Sequence, residues 1–269
     1  MAMGVGGVWR ATRTPIGPAT LQLTQSGGEV TARGWGPGAE WVLEHAPALV
    51  GADDDPRPFV AHHPVVGDLH RRMPGLRLGR STAVMEALVP TVIEQKVVGK
   101  DARRSYAKLV RALGEPAPGP VRLFVPPSPD VLASTPSWAF HRFGIERRRA
   151  ETVIRACRYA RRLEETTSMP PAAARQRMQA LPGIGPWTSN EVSALALGDV
   201  DAVSVGDYHL PHLVAFALAG EPRGDDDRML ELLEPYRGQR ARVLRLLEAG
   251  APTPPRRGPR MALRDIARI

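Results

Sequence analysis

The stretch that decides the fold is Leu181-Pro182-Gly183-Ile184-Gly185-Pro186-Trp187-Thr188. Two glycines stand two residues apart in a turn, where the lack of a Cβ lets backbone amides approach an anion closely. Pro186 suits the first turn of a following helix because it has no N–H to leave unsatisfied. The N-terminus of that helix favours negative charge. The stretch therefore predicts two helices joined by a phosphate-binding turn, although a simple connector would also account for the glycines.

Residues on both sides of this turn have helical periodicity. Between Ile145 and Glu165, apolar residues recur at i, i+3, i+4 and i+7, which predicts one helix and places Cys157 in its core face. A thiol in that position is a packing group rather than a nucleophile. Nearer the turn and beyond it, the pattern predicts helices over residues 171–180, 186–198, 208–219, 226–235 and 239–249.

Prolines and a glycine determine where helices are predicted to bend or end in residues 80–129. Ser81 is expected to cap a helix that Pro90 bends or splits before Thr91–Val98. A second helix, Lys100–Leu113, is expected to end at the glycine that follows it. Residues 115–129 contain six prolines and are predicted to form a loop.

The first 75 residues are richer in glycine and proline. Thr20–Thr24 and Glu29–Arg33 alternate around two glycines, as a β-hairpin would, and Gly38–Leu49 reads as a short helix. The sequence thus predicts an α+β, mainly α fold. A small mixed α/β N-terminal domain (residues 1–75) precedes a helical region (76–250) and a basic tail rich in proline and arginine (251–269).

Composition restricts the function classes. The net charge is +8, and basic residues cluster: residues 142–162 hold eight arginines against two glutamates, and residues 237–264 hold eight against one. Such clusters favour a polyanionic partner, although an ordinary solvated face would also show them. The single cysteine excludes an internal disulfide and a four-cysteine iron–sulfur cluster. The absence of a long apolar run and of a signal-peptide pattern predicts a cytoplasmic protein without membrane contact.

About twenty residues after the turn, Asp207 stands at the start of another predicted helix. This combination resembles the helix-hairpin-helix DNA glycosylases, specifically the 3-methyladenine DNA glycosylase II branch. Asp207 aligns with the family's catalytic aspartate, and the resemblance covers roughly residues 75–250. The segments that carry it are Leu181–Thr188, Asp199–Leu210, Val92–Val98 and Glu234–Arg237.

The resemblance implies a set of site residues. Asp207 would be catalytic, with a base pocket formed by Trp187, Tyr208 and Glu191. Backbone carbonyls of Gln179, Leu181 and Ile184 would hold a monovalent cation, Na⁺ or K⁺, and no other cofactor is expected. The residues expected to contact DNA are Gly183, Ile184, Gly185, Thr188, Gln95 and Lys96, the last two filling the gap that an extruded nucleotide leaves.

The residue at position 187 bears on whether the enzyme would also cut the DNA strand. Bifunctional relatives carry at this position a lysine that forms a Schiff base and nicks the strand. The resemblance therefore implies a monofunctional enzyme, and we also expect it to be a monomer, bacterial and associated with the nucleoid. It would flip alkylated, 3-methyladenine-type bases out of damaged double-stranded DNA and hydrolyse the glycosidic bond with help from Asp207. Glu191 would either favour cationic bases or pair with an arginine.

Three alternatives stay open at this level. Asp207 has the position of a helix N-cap, a common structural role for aspartate. Asp207, His209 and His212 together could instead ligate a metal in a hydrolase. Finally, the chain could be a non-catalytic DNA-binding module that keeps the hairpin and has lost base excision.

Overall fold

The computed structural model describes residues 2–4 and 6–254, so most of the predicted basic tail lies outside it. An antiparallel sheet opens the chain, with its four strands in sequence order. They are β1 (Ala2–Gly4), β2 (Gly7–Thr14), β3 (Gly17–Ser26) and β4 (Glu29–Trp35). The predicted hairpin is confirmed, since Ser26 pairs with Glu29 across its turn. The first two strands were not predicted.

Helices make up most of the remaining chain, in agreement with a mainly α fold. In order they are α1 (Ala39–Glu44), α2 (Ala46–Leu49), α3 (Pro64–Arg72), α4 (Val84–Glu94), α5 (Gly99–Leu113), α6 (Pro129–Ser134), α7 (Arg147–Arg158), α8 (Ala160–Glu164), α9 (Pro171–Gln179), α10 (Pro186–Val192), α11 (Leu210–Ala219), α12 (Asp226–Leu233) and α13 (Arg240–Gly250). Short 3₁₀ segments cover Ser137–Phe143, Glu165–Ser168 and Glu234–Tyr236, and a π-helical turn, Ser193–Leu197, extends α10.

Helix α4 corrects the prediction for residues 81–98. Ser81 does not cap it; the carboxylate of Glu164 on α8 accepts hydrogen bonds from the amides of Val84 and Met85, both at 2.8 Å. Pro90 lies inside the helix without splitting it, and the helix ends at Glu94 rather than near residue 98. A carboxylate 80 residues away thus supplies the cap that a local serine was expected to provide.

Two further predictions need correction. The proline-rich stretch 115–129 is not only a loop, because β5 (Glu115–Pro116) pairs with β6 (Phe124–Val125). The single helix expected over Ile145–Glu165 is divided at Tyr159 between α7 and α8. Helices α3 and α6 were not predicted. No helix in the described part of the chain is both long and apolar enough to cross a membrane.

Three hydrophobic clusters hold these elements together. One joins α4, α5, α7, α9 and α10, and a second joins α3 to α11, α12 and α13. The third lies between the sheet and α1. Residues before position 75 therefore contribute to two clusters, while the domain limits themselves remain a prediction. Ile184 belongs to the first cluster and Leu210 to the second, so the hairpin and the segment after Asp207 meet where the two helical cores adjoin.

Candidate active site

The glycine turn between α9 and α10 has the predicted helix–hairpin–helix form. Gly183 has a φ of +94°, and a Cβ there would lie 2.4 Å from Oγ1 of Thr152 on α7. The fold itself therefore requires glycine at this position. Gly185 has an ordinary negative φ of −100°, and a Cβ there would meet nothing within 4 Å. The second glycine is not needed for packing, and it leaves open space on the outer side of the turn.

Side chains from neighbouring elements donate hydrogen bonds to two backbone carbonyls of the hairpin. The Arg155 guanidinium donates to the Pro182 carbonyl at 2.7 Å. The Gln95 amide donates to the Gly183 carbonyl at 2.9 Å and to Oγ1 of Thr188 at 2.8 Å. Gln95, expected to face DNA, is thus directed at the hairpin. Lys96 follows it as an exposed residue with a φ of +56°, a strained conformation that projects the loop.

Several backbone amides of the hairpin, unlike these two carbonyls, form no hydrogen bond within the described residues. The backbone N–H groups of Gly183, Gly185, Trp187 and Thr188 donate to no acceptor within residues 6–254. Ile184, by contrast, donates its amide to the Leu181 carbonyl at 3.0 Å. Unused amides at a helix N-terminus form a site for an anion such as a phosphate.

Asp207 is held in one orientation by both of its carboxylate oxygens. Oδ1 accepts the amides of His209 at 2.7 Å and Leu210 at 2.9 Å, which caps the start of α11. Oδ2 accepts the Trp187 indole N–H at 3.1 Å, and the residue stays partly exposed. The N-cap residue of α11 is His209, so Asp207 is not the N-cap itself, but its Oδ1 satisfies the first amides of the helix. These hydrogen bonds do not compete with a chemical role, because they fix where the other oxygen points.

The loop that carries Asp207 is anchored from outside. The amide of Gly206 donates to both carboxylate oxygens of Asp226 on α12, at 3.1 and 3.0 Å. Earlier in the loop, Asp201 accepts hydrogen bonds from the Arg240 guanidinium and from the amide of Gly238. These contacts tie the loop to α12 and α13, so that the carboxylate does not depend on the hairpin alone for its position.

Glu191 lies one helical turn after Trp187 and forms no ion pair in the described part of the chain. Its carboxylate accepts the Ser204 hydroxyl. Burial raises the pKa of Glu191, and the nearby charges of Glu248 and Asp207 act in the same direction, against the Ser204 hydrogen bond and the positive charge of Arg245. Pairing with an arginine, one of the two alternatives for Glu191, is therefore not observed. Glu191 instead lies within the electrostatic field of Arg245, Glu248 and Asp207, in that order of influence.

A cleft of about 670 Å³ adjoins this group of residues. Leu195, two helical turns after Trp187, forms part of its wall, while Arg245 and Glu248 contribute charge from α13. None of the predicted site residues lines the cleft. Leu195 could have been found from its i+4 spacing to Glu191. The other lining residues come from distant parts of the chain and left no local signal: Leu49, Leu76–Gly79, Ser81, Glu86, Ala87, Pro90, Ala194, Asp199, Ala241, Arg245, Glu248 and Ala249.

Tyr208 and the two nearby histidines lie outside this cleft. The Tyr208 side chain is 79% exposed, and its ring packs edge-on against His209 at 4.9 Å and His212 at 6.2 Å. Within residues 6–254, no three histidine, cysteine, aspartate or glutamate side chains are arranged to hold a metal. The geometry gives the metal-hydrolase alternative no support. Cys157 is buried, and burial raises the pKa of its thiol to about 12, as expected for a packing group.

Comparison with known proteins places this geometry in a familiar architecture. A 3-methyladenine DNA glycosylase from Archaeoglobus fulgidus superposes with a TM-score of 0.77 at 19% identity, over 91% of this chain and 87% of that one. The chain has the fold of the helix-hairpin-helix DNA glycosylases. Comparisons with protein families and with curated protein sequences find no match.

Two other structures with the helix-hairpin-helix fold are solved with DNA. An 8-oxoguanine glycosylase/lyase of Clostridium acetobutylicum in complex with double-stranded DNA has a TM-score of 0.68 at 13% identity, covering 88% of this chain and 86% of that chain. A 3-methyladenine DNA glycosylase of Schizosaccharomyces pombe in complex with abasic DNA has a TM-score of 0.57 at 15% identity, covering 76% and 94%. The fold is thus shared by glycosylases of different base specificity, and the specificity of this chain has to be argued from its own residues.

Proposed function

We propose that this protein is a DNA glycosylase that hydrolyses the N-glycosidic bond of a damaged deoxynucleotide, with Asp207 as the catalytic carboxylate. The observation that carries the proposal is the geometry of Asp207. Two backbone amides and the Trp187 indole fix its carboxylate, which stays partly exposed beside a hairpin with unused amides at Gly183, Gly185 and Thr188. A carboxylate that only capped α11 would not need a second, side-chain donor on its other oxygen.

The reaction needs what this carboxylate offers. Breaking an N-glycosidic bond builds positive charge on the deoxyribose, as in other glycoside hydrolyses. An ionised carboxylate beside that carbon stabilises the charge and orients the attacking water. Free amides at Gly183, Gly185 and Thr188 would hold the phosphates of the extruded nucleotide. The damaged base would leave the stack past Trp187 toward Glu191 and the adjoining cleft.

The product is proposed to be an intact abasic site. Schiff-base chemistry needs an amine next to the sugar. The position at which bifunctional relatives carry that amine is Trp187, and its indole N–H is engaged with Asp207. The released strand should therefore remain unbroken until alkali cleaves it.

A monovalent cation at the hairpin remains part of the proposal. The carbonyls of Gln179 and Ile184 accept no hydrogen bond within the described ranges, and the Leu181 carbonyl accepts one, from Ile184 at 3.0 Å. Neutral carbonyl oxygens with spare lone pairs suit Na⁺ or K⁺. These three residues would hold the ion, which would add positive charge next to the bound phosphate.

The proposed substrates are cationic, alkylated purines of the 3-methyladenine type. The Glu191 carboxylate, close to Asp207 and unpaired with any arginine, favours a positively charged base over a neutral one. One such charge pair about 10 Å apart at an effective dielectric of about 20 contributes roughly 1.7 kcal/mol, which is more than tenfold in specificity. Arg245, already paired with Glu248 at 2.9 Å, opposes this preference only weakly.

Replacing Glu191 by glutamine is expected to lower the preference for a cationic base by about tenfold. The measurement is kcat/KM for a duplex with cationic 3-methyladenine relative to one with neutral hypoxanthine. Because burial raises the pKa of Glu191 above its ordinary value, its charge is lost as the pH falls through that raised pKa, so the wild-type preference should increase with rising pH. In the Glu191→Gln variant the preference should not change with pH. A variant whose preference equals that of the wild type would show that Glu191 does not determine specificity.

The two hairpin glycines should respond oppositely to alanine. Gly183→Ala is expected to destabilise the protein by about 1–3 kcal/mol, because of its positive φ and the Thr152 contact. Gly185→Ala should leave the unfolding free energy nearly unchanged and weaken DNA binding, since its Cβ would stand in space that a phosphate must approach. Thermal unfolding and DNA titration of both variants check this. Tight DNA binding by Gly185→Ala would contradict the proposal that backbone amides of the hairpin bind a DNA phosphate.

The proposed function is tested on a panel of duplexes that each carry one defined lesion. We expect free base from alkylated duplexes and strand breaks only after alkaline treatment. Breaks without alkali would contradict the monofunctional assignment. DNA binding without release of any base would leave the non-catalytic binding module as the function.

A further inference from the structure

A second, smaller groove lies on the outer side of α7. Its volume is about 310 Å³, and it runs between residues 133–137 and the helix. Its lining is mainly polar, with hydroxyls from one side and two arginines, Arg155 and Arg158, from α7. The proposed reaction uses none of these side chains.

This groove adjoins the hairpin through one side chain. Arg155 lines the groove, and the same guanidinium donates to the Pro182 carbonyl at 2.7 Å. One arginine side chain therefore separates the groove from the turn whose amides are proposed to hold phosphates. A strand bound at the hairpin would pass directly beside the groove.

The groove carries uncompensated positive charge. Its acidic residue, Glu151, is paired with Arg147 at 2.7 Å. Arg158 is exposed, and neither it nor Arg148 on the same helix has a carboxylate partner in the described part of the chain. An unpaired, exposed guanidinium in a polar groove suits a phosphate.

An exposed aromatic side chain stands directly after the lining residue Ser137. Trp138 is 78% exposed. No other tryptophan in the described part of the chain is among the exposed large hydrophobic residues. Proteins bind unpaired nucleic acid with exposed aromatic rings and basic side chains, because every base has a face that stacks. Here the indole follows the lining residue Ser137 in the chain, and Arg158 lines the helix side of the same groove. A double helix could use the arginines but would leave Trp138 without a base to stack on.

We propose that this groove binds an unpaired DNA strand that flanks the duplex held at the hairpin. Arg155 and Arg158 would contact its phosphates, and Trp138 would stack on one of its bases. The groove volume is at the low end of ligand pockets, which suits a single nucleotide. This inference rests on one part of the proposed function, that the partner is DNA. It does not require that the protein excises a base.

The test measures binding to three DNAs that carry the same uncleavable abasic analogue. One is a blunt duplex; the others extend the lesion strand by about six unpaired nucleotides at its 5′ or its 3′ end. The wild-type protein should bind one of the extended duplexes about tenfold more tightly than the blunt one. Trp138→Ala and Arg158→Ala should lose most of this gain and bind the blunt duplex normally. Arg158→Ala should also lower the salt slope for the extended duplex by about 0.7.

Matched variants control for charge and folding. Arg111→Ala on α5 removes one exposed arginine outside the groove and should retain the full gain, and Arg158→Lys should retain part of it. Equal wild-type affinity for all three DNAs, or a gain that survives in both groove variants, would overturn the inference while blunt-duplex binding still supports the proposed function. Failure to bind even the blunt duplex would overturn the proposed function and this inference with it.

Discussion

Replacing Asp207 by asparagine is expected to lower the rate of base release by about 1,000-fold, the size of effect seen when a preorganised electrostatic group is removed from an active site. The amide cannot stabilise positive charge on the deoxyribose. Its oxygen can still accept the His209 and Leu210 amides, so that α11 should keep its cap. Single-turnover base release from a methylated duplex, with protein in excess, measures the effect without product release.

The control for this prediction is DNA affinity. Asp207→Asn should bind a duplex with an abasic analogue within a few-fold of wild type, because the phosphate contacts lie in the hairpin. Asp207→Ala should show the same loss of release and, in addition, lose about 1 kcal/mol of stability with the cap. Normal excision by the asparagine variant would show that Asp207 is only a structural residue.

A second large effect is expected from a buried ion pair far from the hairpin. The side chains of Asp54 and Arg242 are 2% and 1% exposed and contact each other, which links the segment after α2 to α13. Asp54 also accepts the amide of Leu78 at 2.9 Å. Asp54→Asn would leave the Arg242 charge buried without a counter-charge. We expect the unfolding free energy to fall by about 3–5 kcal/mol and the Tm by roughly 10 °C.

Removing both charges distinguishes the ion pair from local packing. Asp54→Asn combined with Arg242→Met keeps an acceptor for the Leu78 amide and takes the charge out of the core. Most of the lost stability should return, because a buried pair replaced by apolar volume is often close to neutral. Chemical denaturation of the single and double variants measures this. A double variant as unstable as Asp54→Asn alone would contradict the role assigned to the unpaired charge.

The hairpin and Asp207 could be predicted from sequence because their chemistry is local. Glycines two apart, the following proline and an aspartate twenty residues on are all visible in one short window. Strand β2 was missed for a physical reason. On one face its buried positions are Arg10, Thr12 and Thr14, and Arg10 donates to Glu86 on α4, at 2.9 Å, and to the Ser81 carbonyl. A hydrophobic alternation rule does not detect a strand whose inner face is polar.

Long-range contacts account for the other differences. The cap of α4 comes from Glu164, and Gln95 is turned toward Gly183; neither contact could be read from nearby residues. The cleft beside Glu191 combines α4, the π-helical turn after α10 and α13. Sequence thus pointed to Asp207 as the candidate for the chemistry, which stays a prediction, and left the shape of the surroundings open, since that shape depends on elements more than a hundred residues apart.

The central claim is that the Asp207 carboxylate stabilises positive charge on a deoxyribose held at the hairpin. The most direct measurement compares affinity for duplexes that carry either a cationic pyrrolidine or a neutral tetrahydrofuran in place of the sugar. Wild-type protein should bind the cationic analogue at least about 100-fold more tightly, and Asp207→Asn should lose that preference while binding the neutral one normally. Equal affinity of the wild-type protein for both analogues would contradict the claim.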